Sequence, residues 1–441
     1  MMDFSPNEAL QRALHYIASN ASTPFASSTT LSQDEMLKHA RALSAAEHAK
    51  DLRPLIASKI TDLQYYDVLN MERAAAVCFW GRSGSWLLAS YLDSHDDVVL
   101  LPTDRSEQIY RFFELHQLLS LHDKLIAYPI FWPNFFQGDF AIEPRDYYAA
   151  VAALFDVYGN SPEPLLQTRR AFFQFLHVAY RLALDRRPAT PRPLMFYSQH
   201  FWDEQLARRF DEDFPRARFL HTVRDPITTY DRMFEFSLST GRGADAPVWL
   251  LNHLVKHGQP HTGMESRTRA VRFEDLHNKT AETLNRVIDW LGLPHPAAEL
   301  KSTFNGKPFV VERGGITWSG PRTEQTLRSS RNVASADQAM LFALLYENFI
   351  AWNYSVPRIF KYTFIRTLAC MPVLLVPMKS EIIGAWATLK TQVLPSLMHG
   401  RIRFALESLF GIFKSRLQII WLVVSELYRR LTYGKNVFEL L

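Results

Sequence analysis

The stretch 74–94 constrains the fold more than any other part of this chain. AAAVCFW (74–80) is a continuous apolar run of strand length, the pattern of a strand buried on both faces. GRSGS interrupts it, and WLLASYLDS follows with Leu87, Leu88, Tyr91 and Leu92 at helical spacing. A strand, a Gly-containing turn and a helix in immediate succession open an α/β unit.

The alternation recurs downstream. Short strands are expected at 98–101, at 193–197 running on to His200, at 217–223 and at 269–273. After the ARFLHTV strand, RDP turns the chain into a helix, with Asp225 as N-cap and Pro226 at the first helical position. Another helix face, Leu284, Val287, Ile288 and Leu291, closes at Gly292 and Pro294. This order predicts an α/β fold with a P-loop-like, doubly wound parallel sheet flanked by helices. At 441 residues the chain exceeds one small core. Three regions are expected: an N-terminal helical extension (1–70), a main domain (71–354) with a helical, aromatic-rich insertion at about 105–187, and a basic amphipathic helical tail (355–441).

Hydrophobic residues at 47% and charged residues at 21% describe a globular chain and exclude a disordered one. A net charge of +4 is too small for a generic nucleic-acid coat, and no nucleic-acid partner is expected. The charge is uneven, however. Residues 355–441 hold 12 Lys and Arg against 4 Glu, while the remaining 354 residues hold 37 basic and 41 acidic side chains. The basic character therefore belongs to the tail and points to a local partner surface. Cys78 and Cys370 provide no disulfide framework and no metal-ligand spacing, so no metal is expected. MMDFSPNEALQRAL lacks a basic n-region and an apolar h-region, and a cytoplasmic location is the simplest reading.

Two clusters carry chemistry. In GRSGSW (81–86) a turn between strand and helix aims backbone N–H groups and the positive helix end at an anion. Gly81 and Gly84 permit close backbone approach, Ser83 and Ser85 add hydroxyls, and Arg82 adds a permanent two-donor cation. The residue after Gly84 is Ser85 rather than lysine, so this is not a Walker A loop. The second cluster, FLHTVRDPITTYDR (219–232), puts Arg224 just past a strand end, where open α/β sheets bind ligands. Thr228, Thr229 and Arg232 follow on the helix. Two separated anion-binding clusters suit a nucleotide phosphorylated at two ends, although a local cap pairing Arg224 with Asp225 is the competing account.

With these residues in view, the sequence resembles the sulfotransferases that use 3′-phosphoadenosine 5′-phosphosulfate (PAPS), especially the bacterial and carbohydrate type. GRSGS resembles their 5′-phosphosulfate loop and VRDP their 3′-phosphate motif. VRFEDLHNKTAETLNRVIDWLGLP (271–294) resembles their strand–EDL–helix–LGL segment, and FPRARFLHTVRDP (214–226) matches them closely. The resemblance spans about residues 74–330 and has three motifs in the expected order. It implies that Arg82 and the amides near Gly84 and Ser85 bind the 5′-phosphosulfate, and that Arg224 binds the 3′-phosphate. The family serine eight residues beyond this arginine is replaced by Arg232. Either Arg232 serves, or Thr228 or Thr229 does. Trp86 replaces a second hydroxyl residue and is left to stack on the cofactor or to pack. His200, following a strand and preceding the FP–RDP phrase, resembles the family's general base, with Asp203 or Glu204 as substitutes. ERGGITWSGPR (312–322) loosely resembles the late loop over the 3′-phosphate and adenine, with Arg313, Gly314 and Trp318 as candidates, but it also reads as an ordinary surface loop.

The resemblance implies transfer of a sulfuryl group from PAPS, with no metal, to a hydroxyl or amine on a glycan, lipid or small molecule. A P-loop-like kinase or nucleotide hydrolase and a non-catalytic scaffold on a degenerate core are the alternatives. In the tail, 359–378 and 401–431 interleave apolar and basic residues, and their unbroken apolar runs are shorter than the roughly 20 residues of a spanning helix. Two basic amphipathic helices on an anionic membrane are expected, peripheral at the inner face, with a helical bundle or oligomer interface as the alternative.

Overall fold

A computed structural model describes residues 33–48, 51–79, 83–101, 107–132, 135–136, 141–186, 188–200, 203–259, 263–296, 298–313, 316–433 and 437–441. Five strands, β1 (Ala74–Phe79), β2 (Val98–Leu100), β3 (Leu194–His200), β4 (Arg218–Val223) and β5 (Thr268–Arg272), form one sheet in the order β2-β3-β1-β4-β5. All four pairings are parallel. The expected doubly wound sheet is present, and β3 runs on to His200 as read from the sequence.

Alternation within the strands explains their continuous hydrophobicity. On β1, Ala74, Ala76 and Cys78 enter one core, while Ala75 and Val77 enter another on the opposite face. On β3, Met195 and Tyr197 oppose Leu194 and Phe196 in the same way. A strand with apolar layers on both sides has no face left for polar residues.

The first core joins the sheet to the N-terminal helices Gln33–His48 and Arg53–Leu63 and to the insertion helices Glu107–Leu115, Leu121–Phe131, Pro144–Tyr158 and Arg169–Ala183. Met36, Leu43 and Leu63 share it with Phe112, Tyr128 and Phe172, so extension and insertion pack as one layer. The opposite core collects the helices Ser85–Asp93 and Thr280–Leu291. It also takes Phe304, from a short hairpin pairing Thr303–Phe304 with Lys307–Pro308 that no sequence signal had marked. A second hairpin, Val310–Arg313 with Ile316–Ser319, stands where a Gly-rich loop was expected. Its β-branched residues Val310, Val311, Ile316 and Thr317 account for the difference.

The tail folds onto a third core. Cys370, Val373, Met378, Ile419, Val423 and Phe438 are buried with Ile227, Tyr230, Leu250 and Phe349. Polar contacts fix the docking: Tyr230 and Ser380 share a buried 2.7 Å hydrogen bond, and Ala244 N–H donates to Thr388 Oγ1 at 2.9 Å. Gly384 lies so close that a Cβ there would sit 2.7 Å from the Gly243 carbonyl oxygen. After the helix Ile402–Tyr433 the chain returns to the sheet, where Leu440 bridges Ala270 in parallel and Ala270 N–H donates to Glu439 O at 2.7 Å. That return covers part of an otherwise open sheet edge.

By length and composition, Thr363–Met398 and Ile402–Arg430 are long and apolar enough to cross a membrane, even though their unbroken apolar runs are short. The reason is that charges stand singly between apolar residues, so a helix continuing through them outlasts any unbroken run. The first stretch is not straight: helices Thr363–Leu375 and Lys379–Thr388 are separated by 376–378, and a π-helical turn follows at Leu389–Val393.

Candidate active site

Strand connectivity fixes where the site lies. From β1 the chain leaves to one side, toward β2, and from β4 it leaves to the other, toward β5. The crevice between the carboxyl ends of β1 and β4 is therefore a topological switch point, the ligand-binding position of open α/β sheets. Register aligns the three strand ends: Phe79 lies beside His200 of β3 on one flank and beside Thr222 of β4 on the other. With strands about 4.8 Å apart, the ends of β3, β1 and β4 fall within about 10 Å.

The loop after β1 turns into the helix Ser85–Asp93 through Gly84, which is left-handed at φ +88°. A Cβ at Gly84 would meet Cδ2 of Phe273 at 2.8 Å, so only glycine fits both the backbone and the space. Ser83 is buried and its hydroxyl lies 2.7 Å from Thr222 Oγ1, tying the loop to the end of β4. Ser85 is also buried and begins the helix, whose first N–H groups have no partner within the helix. Trp86 packs edge-on against Phe304 (ring centroids 5.0 Å apart) and parallel to Phe309 (6.2 Å). Gly81 and Arg82 lie outside the described residues.

Arg224 leaves β4 directly into this crevice and is only 8% exposed. Its guanidinium carbon stands 4.1 Å from the centroid of the Phe273 ring, the same ring that crowds Gly84. Phe273 thus joins the two clusters that the sequence could only list separately. Burial lowers the Arg224 pKa to about 10; the Glu274 carboxylate opposes the shift, and the like charge of Arg232 adds to it. Asp225 caps the helix Pro226–Ser239, accepting from Thr228 N–H at 2.9 Å, and also pairs with Arg328. The cap expected of Asp225 is therefore present, but its cation is Arg328 rather than Arg224.

Thr228 is buried and its hydroxyl oxygen accepts from Ser329 N–H at 3.1 Å. Thr229 Oγ1 donates to Arg224 O at 3.4 Å. Arg232 is half-buried and pairs with Glu235 at 3.3 Å. Of the general-base alternatives, Asp203 accepts from Gln205 and Leu206 N–H groups as a helix N-cap, and Glu204 pairs with Arg208 at 2.7 Å. Helix-terminal work thus engages both carboxylates. His200 ends β3 beside Phe79, although its side chain lies outside the described atoms.

Sequence reasoning missed a strap formed by residues 322–332. Arg224 Nη2 donates to Gln325 O at 2.5 Å, and Ser329 Oγ donates to Asp231 at 2.5 Å. Asn332 gives Asp231 two more hydrogen bonds, at 2.8 and 2.9 Å. The strap begins where the late-loop candidate ends. Trp318 stacks under Arg322 (5.2 Å), Gly314 lies outside the described residues, and the side chain of Arg313 is likewise not described. The hydroxyl and basic residues of TEQTLRSSRN were the available signal, but nothing local says which of them turn inward. His277 accepts from Arg322 N–H through Nδ1 at 2.7 Å; burial, then the nearby Arg224 charge, lowers its pKa to about 4. Among the described residues no group of three or more His, Cys, Asp or Glu could hold a metal ion.

A helix N-terminus and a buried guanidinium thus meet at one aromatic ring, and each is a group type that binds anions. Three solved structures are similar to this chain at low identity. The sulfotransferase domain from the curacin biosynthetic pathway is 15% identical, covering 65% of this chain and 99% of that one, with a TM-score of 0.35. Sulfotransferase STF9 from Mycobacterium avium is 12% identical over 67% and 81%, with a TM-score of 0.31. The sulfotransferase domain of the Synechococcus PCC 7002 olefin synthase is 17% identical over 52% and 78%, with a TM-score of 0.30. No curated protein sequence matches the chain. The model of the Sulfotransferase family matches residues 75–297, which run from β1 through the loop after it, Arg224 and Phe273 to the end of the LGL segment. With half of its length inside that match, the chain belongs to the sulfotransferase family.

Proposed function

We propose that this sulfotransferase moves the sulfuryl group of PAPS to a hydroxyl or amine of a glycan or lipid-linked glycan presented at a membrane surface. The observation that carries the cofactor assignment is the Gly84–Phe273–Arg224 stack, which braces the helix N-terminus and the buried guanidinium against one ring. The chemistry of these donors fits a nucleotide with charged groups at both its 5′ and 3′ positions.

In this reading Arg82 and the N–H groups of Gly84, Ser85 and Trp86 hold the 5′-phosphosulfate, with Gly81 and Ser83 shaping the loop. Arg224 holds the 3′-phosphate, and Thr228 and Arg232 sit one and two helical turns beyond it. Arg313 belongs to the covering segment. When bound, PAPS supplies the sulfuryl group and a bisphosphate nucleotide as leaving group. His200, in line with Phe79 at the mouth of the crevice, takes the acceptor proton. Arg82 and the loop amides offer preorganised positive potential where charge develops, and losing one such donor typically costs about 3 kcal/mol of transition-state stabilisation.

The membrane part of the proposal rests on the tail. Among the described residues, twenty of the thirty-one exposed large apolar side chains lie between residues 363 and 428. On the helix Ile402–Tyr433, Leu406, Phe410, Phe413, Leu417, Trp421, Val424 and Tyr428 recur at steps of three and four, opposite the buried Ala405, Ile419 and Val423. This exposed stripe is about 33 Å long. Exposed Arg401, Arg403 and Lys414 accompany it, the pattern of a helix lying in an anionic interface.

The test is calorimetric titration of the full chain with 3′-phosphoadenosine 5′-phosphate, with ATP and Mg²⁺ as the comparison. Tight binding of the bisphosphate, weakened at least tenfold in Arg82→Ala and in Arg224→Ala, is expected. A preference for ATP, or bisphosphate binding indifferent to both substitutions, would overturn the cofactor assignment.

A further inference from the structure

The edge of the sheet opposite the crevice carries a second concentration of positive charge. Arg73 directly precedes β1, Arg192 lies two residues before β3, and Arg216 and Arg218 bracket the start of β4. The order β3-β1-β4 makes these strand starts neighbours, and the pairings Ala74 with Met195 and Ala75 with Arg218 bring them level. The four arginines line a cavity of about 400 Å³, closed on one side by Leu291 and Gly292.

Little of this charge is neutralised. Arg192 pairs with Asp67, its Nε 2.9 Å from Oδ2. Arg73 donates to the Gly292 carbonyl at 2.8 Å, and Arg218 lies over the Trp290 ring at 5.2 Å; neither partner supplies a negative charge. Arg216 is exposed and makes no ion pair among the described residues. The one carboxylate in the lining, Glu72, is shared with Arg170 at 3.4 Å. Guanidinium groups stay charged at any working pH, and several gathered at one cavity repel one another. A bound anion relieves that repulsion, and the planar forks of Arg216, Arg218 and Arg73 match phosphate or sulfate oxygens two at a time.

We propose that this cavity is a second anion site, which takes a small ligand carrying two or more phosphate or sulfate groups. Its volume suits a compact polyanion, and its several forks favour more than one charged group. The six residues of β1, about 20 Å of strand, separate it from the crevice, so the two sites are independently testable.

Inorganic pyrophosphate is the probe, titrated calorimetrically into the full chain with and without saturating 3′-phosphoadenosine 5′-phosphate. Saturable binding is expected in the wild type and in Arg224→Ala, at least tenfold weaker in Arg216→Ala and weaker still in Arg216→Glu. Arg216 is exposed, so neither change at that position threatens the fold, and a thermal melt checks this. Monophosphate is expected to bind at least tenfold more weakly than pyrophosphate. Absence of saturable binding overturns the proposal, as does equal affinity for both anions. Binding that survives Arg216→Glu but disappears in Arg224→Ala would move the heat to the crevice and overturn it too.

Discussion

Gly84 offers a way to disturb both halves of the crevice through one atom. Replacing it with alanine puts a Cβ on a left-handed backbone at φ +88°, which costs roughly 1–2 kcal/mol. The same Cβ would lie 2.8 Å from Cδ2 of Phe273, an overpacking that typically costs about 1–3 kcal/mol more. Relief requires either the loop to retreat from the helix N-terminus or the Phe273 ring to move. The ring cannot move without shifting its contact with Arg224, 4.1 Å away. If about 2 kcal/mol of the total falls on the liganded state, bisphosphate affinity drops about thirtyfold. Calorimetric titration of Gly84→Ala, beside a thermal melt, reads this directly. Phe273→Leu in the same chain makes room for the Cβ, so the double variant should lose less affinity than the sum of the two single losses. The reasoning fails if Gly84→Ala binds within threefold of wild type with an unchanged melt, or if the two losses simply add.

Three further outcomes are expected. His277 keeps a folded-state pKa of about 4 because of burial and then the Arg224 charge, well below the ordinary value near 6.5. The unfolded chain therefore binds the proton first, and the stability that depends on the neutral ring is present above pH 6.5 and lost as pH falls toward 4. Urea unfolding at pH 7 and pH 5 should show a smaller acid loss in His277→Asn than in wild type, and equal losses would refute the assignment. On the tail, Phe413 and Trp421 are 59% and 73% exposed, and moving each side chain out of water is worth about 1.5 kcal/mol, so Phe413→Ser/Trp421→Ser should reduce flotation with anionic vesicles about a hundredfold. Unchanged flotation, or loss of a dimer seen by light scattering in place of a flotation defect, would replace the membrane with a second copy of the chain. For the base, His200→Ala should lower turnover by about 10² to 10⁴ while leaving bisphosphate affinity within threefold, and near-normal turnover would pass the role to another group.

Much of this protein was legible without coordinates because its local signals agree with one another. Strand-length apolar runs, followed by a glycine turn after β1 and an Asp–Pro step after β4, specify parallel β-α units, since a strand covered on both faces admits no polar alternation. That reasoning located all five strands and the Asp225 cap, and it singled out the loop after β1 and the segment at Arg224 as candidates for the site. Other features were invisible because they depend on residues far apart in sequence. No periodicity says that Phe273 stands between Gly84 and Arg224, or that the strap after Arg322 folds back to Arg224, Thr228 and Asp231. Trp86 could stack on a cofactor or pack, and only the hairpin carrying Phe304 brought a packing partner to it. The tail divides in the same way. Its sequence shows an amphipathic, basic character, but which apolar residues remain exposed was decided by the docking of Ser380, Gly384 and Ile419 on the core. Sequence determines which surfaces a chain can make locally; tertiary packing decides which of them meet, because the contact energy of each belongs to a pair.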